Sequence, residues 1–202
     1  MKKRYVLFLL GLIISINSLA ETNMELAKKY YEKGDYAQAI KYYKLVEKEN
    51  SDDSESAIFR LGYIYQKEKN YDEAEKYYKI LADKGDTMAM INLSNVYREK
   101  KEFGSMELYL RAAADKGNID ATYNLGNWYR ELGLFSKAEI YLKTASENGH
   151  LSATYNLALL YLRAGSKYYS QSEKYFKLAS EKGLIEATNN LGILYKNKKK
   201  YR

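Results

Sequence analysis

Five times the chain writes the same nine-residue phrase: AIFRLGYIY at 57–65, AMINLSNVY at 89–97, ATYNLGNWY at 121–129, ATYNLALLY at 153–161 and ATNNLGILY at 187–195. Successive copies are 32 residues apart, and 34 at the last step. A fixed period of this length marks stacked supersecondary units, each too small to bury its own apolar face and stable only against its neighbours. Within a unit, apolar residues recur at helical spacing twice, as in Ala57, Leu61, Ile64 and Tyr65, then Tyr71, Ala74, Tyr78 and Leu81. Each unit is therefore read as two helices. The polar links QKEKN (66–70) and REKKE (98–102) are short enough to force those helices antiparallel. The period thus predicts an all-α solenoid of antiparallel helix pairs.

Small residues punctuate the pattern in two ways. Gly85, Gly117, Gly149 and Gly183 follow the second helices, where a helix ends most easily in a left-handed residue. Gly62, Ser94, Gly126, Ala158 and Gly192 fall inside the first helices. A glycine there costs about 1 kcal/mol against alanine, so the row predicts a notch filled by the bulky Tyr78, Leu110, Leu142 and Phe176 of the second helices. About eleven helices are expected, with pairs beginning near 21, 57, 89, 121 and 153 and a closing helix near 187–198.

Residues 1–20 read as an export signal. Lys2, Lys3 and Arg4 precede an apolar run from Tyr5 to Ile16, and Ser18-Leu19-Ala20 offers small residues for cleavage before Glu21. The run is short of the ~20 residues a spanning helix needs. The expected domains are the signal at 1–20, the repeat array at 21–195 and a basic tail at 196–202. The mature protein is expected in the periplasm or outside the cell, as a monomer that is not integral to a membrane. Cysteine is absent, so disulfides and a lipid-bearing terminal thiol are excluded.

The net charge of +7 does not point to nucleic acid. Three of the 33 Lys and Arg lie in the signal and five in the tail, which leaves 25 against 26 Asp and Glu over the repeats. A phosphate-binding array needs a basic stripe along its length. The lysines of the tail have a simpler use, offsetting the dipole at the end of the last helix.

Catalytic groups are scarce. With one histidine, His150, and no cysteine, neither a thiol–imidazole pair nor a zinc cluster can be assembled. His150 shares a junction slot with Asp86, Asn118 and Leu184 and is read as a loop residue. Glu73, Glu75, Glu107, Glu139 and Glu173 sit among lysines, as on a solvated helix face. No enzyme activity, cofactor or metal is expected. Tyr65, Tyr97, Tyr129, Tyr161 and Tyr195 occupy one slot and are read as core whose hydroxyls reach polar partners. Trp128, in a row with Ile64, Val96, Leu160 and Leu194, is read as packing. Asn92, Asn124, Asn156 and Asn190 precede the repeated leucine and are expected to hydrogen-bond a neighbouring helix.

The order small-x-x-Asn-Leu-Gly-x-x-Tyr, followed by a second helix with a central alanine and an aromatic, resembles the tetratricopeptide repeat. The alanine opening each unit and the Ala-Ala-x-x-Gly junction are similar to the Sel-one-like repeat. The likeness spans nearly all of the chain after residue 20. The chain departs from the tetratricopeptide pattern in having no proline, and from secreted Sel-one-like members in having no paired cysteines. This resemblance implies a right-handed superhelix whose concave groove binds proteins or peptides. Carried onto this sequence, the groove positions lie two before and two after the repeated leucine and a further turn on. They nominate Phe59, Tyr63, Ile91, Asn95, Arg98, Tyr123, Asn127, Arg130 and Tyr155. Asn95 with Arg98, and Asn127 with Arg130, set an amide and a guanidinium three residues apart on one helix face. Such pairs suit a carboxylate or a peptide backbone. The expected function is a non-enzymatic interaction scaffold of the bacterial envelope, with a cell-wall carbohydrate or peptidoglycan binder, or enzyme accessory protein, as the alternative.

Overall fold

The structure, a computed structural model, describes residues 21–200. The export signal expected over residues 1–20 lies outside them, as do the last two residues of the basic tail. Among the described residues there are eleven α-helices, one short 3-10 turn and no strand. This is the predicted all-α array of consecutive helix pairs. The chain divides between Leu81 and Ala82 into two compact units.

Unit 1 holds α1 (Asn23–Glu32), α2 (Tyr36–Lys48), α3 (Ser54–Lys67) and most of α4 (Tyr71–Asp83). The start of α1 is fixed by Thr22, whose hydroxyl accepts the Glu25 N–H at 3.2 Å while Glu25 Oε2 accepts the Thr22 N–H at 2.7 Å. Asp35 caps α2 through Gln38 N at 3.1 Å. Gly62 in α3 and Tyr78 in α4 meet as predicted: a Cβ on Gly62 would stand 2.9 Å from the Tyr78 ring. Tyr65 stacks on Tyr77 with centroids 5.7 Å apart. The core around these contacts includes Leu61, Ile64 and Tyr78, each fully buried. Burial of a side chain of this size stabilises by about 1.5–3 kcal/mol.

Unit 2 runs through α5 (Thr87–Glu99), α6 (Phe103–Asp115), α7 (Ile119–Glu131), α8 (Phe135–Glu147), α9 (Leu151–Arg163), a 3-10 turn (Ser166–Tyr168), α10 (Tyr169–Glu181) and α11 (Ile185–Lys200). Its first helices start on caps in the junction slot. Asp86 accepts from Met88 N and Ala89 N at 2.8 and 2.9 Å, and Asn118 accepts from Ala121 N at 3.0 Å. His150 does the same, its Nδ1 accepting the Ala153 N–H at 3.1 Å. His150 is therefore a helix cap and not loop decoration, a role that Asp86 and Asn118 in the same slot signal by residue type. Gly126 faces Leu142 so closely that a Cβ would stand 2.7 Å from Leu142 Cγ. Gly192 has nothing within 4 Å, because no second helix follows α11 among the described residues.

The four junction glycines all have positive φ, from 84° at Gly117 to 93° at Gly85. Left-handed residues also end the first helices, at Gly34, Lys69, Lys101, Gly133 and Gly165. Three readings need correction. Glu107, Glu139 and Glu173 are not an ordinary solvated face: they accept the hydroxyls of Tyr129 at 2.6 Å, Tyr161 at 2.5 Å and Tyr195 at 2.9 Å. Each tie spans 22 residues and fastens a second helix to the first helix of the next pair. Trp128 does pack, but it is only half-buried, stacked on Phe103 at 5.1 Å. Tyr195 departs from its buried row, at 41% exposure, because it lies on the closing helix.

Candidate functional site

The first helices of unit 2 carry a hydrogen-bonded ladder. Asn156 on α9 donates through Nδ2 to the Tyr123 hydroxyl at 3.1 Å and to Asn127 Oδ1 at 2.8 Å, both on α7. Arg130 Nε donates to the same Asn127 oxygen at 3.4 Å. One step on, Asn190 of α11 donates to the Tyr155 hydroxyl of α9 at 2.8 Å and to the Glu186 carbonyl at 3.0 Å. Four nominated residues, Tyr123, Asn127, Arg130 and Tyr155, are thus gathered on one connected face. Asn156 and Asn190 tie neighbouring helices as expected, and serve as its rungs. All six side chains are half-buried, so solvent still reaches them.

The other nominated residues stand apart from this ladder. Ile91 is 7% exposed and offers little surface. Asn95 is half-buried and Arg98 exposed on α5, with no bond joining either to the ladder among the described residues. Phe59 and Tyr63 belong to unit 1. Phe59 meets the Tyr78 ring edge-on at 5.6 Å, and Tyr63 is 39% exposed beside Tyr31 at 6.3 Å.

That last contact opens onto a cluster missed in the sequence. Tyr31 and Tyr36 are 5.8 Å apart, Arg60 lies over the Tyr31 ring at 5.5 Å, and Lys67 lies over Tyr36 at 4.9 Å. Lys67 Nζ also donates to the Tyr36 hydroxyl, which pushes the lysine's pKa up. One signal was available: Arg60 stands in the slot that holds Asn92, Asn124, Asn156 and Asn190 elsewhere.

Neither face is arranged for acid–base chemistry. His150 stacks on Tyr123 at 4.1 Å, and its Nε2 is 3.4 Å from Asp120 Oδ1. With Nδ1 committed to the Ala153 N–H, the ring has no nitrogen left to act as a base. Asn118 and His150 also line an open recess of about 470 Å³ with Gly117, Ile119, Asp120, Asn148 and Gly149. It is formed by cap residues and turn backbone, without convergent carboxylates. Among the described residues no three His, Cys, Asp or Glu gather as metal ligands. Burial pushes the Tyr129 and Tyr161 phenols well up, with their bonds to Glu107 and Glu139 adding to the effect. Those hydroxyls stay protonated donors at neutral pH.

A tetratricopeptide repeat family model matches residues 24–89, which take in the first two helix pairs and the start of α5. Solved structures extend the likeness over most of the chain. The described residues have the fold of tetratricopeptide and Sel1-like repeat arrays. It superposes on a protective antigen of uropathogenic Escherichia coli with the Sel1-like repeat fold at a TM-score of 0.66 and 23% identity. That match covers 87% of this chain but 41% of the antigen, so the chain spans less than half of that protein. A Sel1 repeat protein from Oxalobacter formigenes gives a TM-score of 0.64 at 24% identity, over 84% of this chain and 74% of its own. MamA gives 0.62 at 26% identity, over 79% of this chain and 89% of its own. A comparison with curated proteins finds no match. Arrays of this repeat type generally mediate protein–protein interaction. No helix among the described residues is long and apolar enough to cross a membrane.

Proposed function

We propose that this repeat protein is a non-enzymatic interaction scaffold of the bacterial envelope, which holds a protein or peptide on the face formed by its first helices. The observation that carries the reading is the ladder on α7, α9 and α11. After its bonds are made, the amide oxygens of Asn156 and Asn190 accept nothing, and the hydroxyls of Tyr123 and Tyr155 donate nothing, among the described residues. Each rung therefore offers one acceptor and one donor, the pair that a peptide group needs. Arg130, held against Asn127, adds a cation to the same face. The basic start and apolar run of residues 2–16 support export.

The test is capture of partners from an envelope fraction, with the culture supernatant run beside it. Arg98→Ala combined with Arg130→Ala removes the two guanidiniums while the helix backbone and the buried core are untouched. Capture is expected to fall at least tenfold with unchanged helicity. Undiminished capture would remove the first-helix face as the binding surface.

A further inference from the structure

Arg60, Tyr63 and Lys67 lie at i, i+3 and i+7 on α3, so they form one stripe on one side of that helix. Both cations are exposed, and neither forms an ion pair among the described residues. This is not for want of acids: residues 21–81 carry 13 Asp and Glu against 11 Lys and Arg. Elsewhere in the same unit cations find them, Lys29 with Glu21 at 2.7 Å and Lys76 with Glu73 at 3.7 Å. Arg60 and Lys67 are instead laid over tyrosine rings, at 5.5 and 4.9 Å, which holds the charged heads in place and reduces the ordering cost of binding. Lys67 spends one of its three N–H groups on the Tyr36 hydroxyl. The Arg60 side chain makes no hydrogen bond among the described residues, so its planar fork is open to a carboxylate.

We infer that Arg60 and Lys67 form a paired carboxylate site for an acidic peptide segment in the polyproline II conformation, with Tyr63 beneath the residues between its two acids. Seven residues of helix separate the Arg60 and Lys67 Cα atoms by about 10 Å. Three residues of polyproline II chain make one turn, return the fourth side chain to the same face and advance about 9 Å, so the matching ligand is acid-x-x-acid lying along α3. Tyr63, 39% exposed between the cations, provides an aromatic floor for an apolar residue at one of the intervening positions. A sugar ring does not fit this surface as well. The Tyr31 and Tyr36 rings are covered by cations, and Tyr31 is tilted by 46° to Tyr36 and 59° to Tyr63, so no flat platform is offered.

This site rests on the reading of the protein as a peptide-binding scaffold, and its test is separable from that one. A fluorescein-labelled peptide with Glu-Leu-Ser-Glu in a neutral flank is titrated with the full chain by fluorescence anisotropy, beside its Gln-Leu-Ser-Gln counterpart. The glutamate peptide is expected to bind at least tenfold more tightly, and the advantage to shrink as salt is raised. The double variant Arg60→Gln, Lys67→Gln should abolish that advantage without loss of helicity. Equal binding of the two peptides, or a variant that keeps the discrimination, overturns the site. A third peptide with adjacent glutamates is expected to bind several-fold more weakly, and parity would overturn the assigned spacing. If the acidic peptide fails while Arg98→Ala, Arg130→Ala still abolishes partner capture, the scaffold reading stands and the α3 site falls.

Discussion

In unit 2 the residue before the repeated leucine is an asparagine, and at Asn156 and Asn190 it ties a first helix to the one before through neutral amide bonds. In unit 1 the same slot holds Arg60, which reaches back to α1 by lying over Tyr31. Both link a first helix to the one before, but the chemistry changes from amide to cation. Packing slots show no such freedom: a glycine faces a bulky residue both at Gly62–Tyr78 and at Gly126–Leu142. The repeat thus separates two jobs along one helix. Slots that set the distance between helices are constrained by volume, whereas rung slots on the solvent side can differ from unit to unit and carry different ligand chemistry.

The sharpest way to break this separation is to fill the notches. A Cβ at residue 126 would lie 2.7 Å from Leu142 Cγ and 3.0 Å from the Leu142 backbone nitrogen. A backbone atom cannot turn aside, so Gly126→Ala should destabilise by about 2–3 kcal/mol through overpacking. At Gly62 the contact is with the Tyr78 ring at 2.9 Å, which can tilt, so Gly62→Ala should cost less, about 1–2 kcal/mol. Gly192→Ala meets nothing within 4 Å and should gain up to about 1 kcal/mol from helix propensity alone. Urea denaturation of the three variants ranks them. Equal losses at Gly126 and Gly192 would show that the notch is not a packing feature.

A second contrast lies on the tyrosine row. In unit 2 Tyr129 and Tyr161 donate to carboxylates, whereas in unit 1 Tyr65 has Lys44 over its ring at 5.6 Å. Burial first, and then the bond to Glu107, raises the Tyr129 phenol's pKa in the folded protein. The unfolded phenol loses its proton near pH 10. The stabilisation from a raised phenol is fully present below that pH and is lost as pH rises beyond it, because only the unfolded chain then releases the proton. Tyr129→Phe should cost about 1.5–3 kcal/mol at pH 7, the usual worth of a hydrogen bond to a charged group. It should also flatten the fall in stability above about pH 10. Denaturation at neutral and alkaline pH measures both, and a steeper alkaline fall in the variant would show that the Tyr129–Glu107 tie is not made.

Much of this could be read from the chain. Period, helix pairing, notch partners and junction glycines all follow from residues that recur in fixed slots, and repetition exposes a slot even where one residue is ambiguous. What stayed hidden was anything that depends on the partner across the gap. Glu107, Glu139 and Glu173 look like any solvated acids until the hydroxyl of a tyrosine 22 residues on is placed against them. Arg60 and Lys67 lie outside the groove positions that the repeat pattern supplies, and the pattern has no place for an exception. The row of Trp128 points to packing, and the indole does pack, but against Phe103, which is itself 44% exposed.

The turns that end the first helices refine the comparison at its smallest scale. Gly34 in unit 1 and Gly133 in unit 2 have φ of 77° and 71°, and Lys69 and Lys101 hold the same slot at 61° and 62°. A side chain in this region costs about 1–2 kcal/mol, part of which is offset because glycine has more freedom to lose on folding, by about 0.5–1 kcal/mol. Lys101→Gly should therefore gain about 0.5–1 kcal/mol, and Lys69→Gly the same. The reverse change, Gly133→Lys, should lose about as much. The gain should be equal in the two units, since it belongs to a backbone conformation they share and not to the side chains that distinguish them. Thermal unfolding of the single variants would show it, and stabilisation in one unit with destabilisation in the other would mean that the two turns, alike in φ, are held by different surroundings.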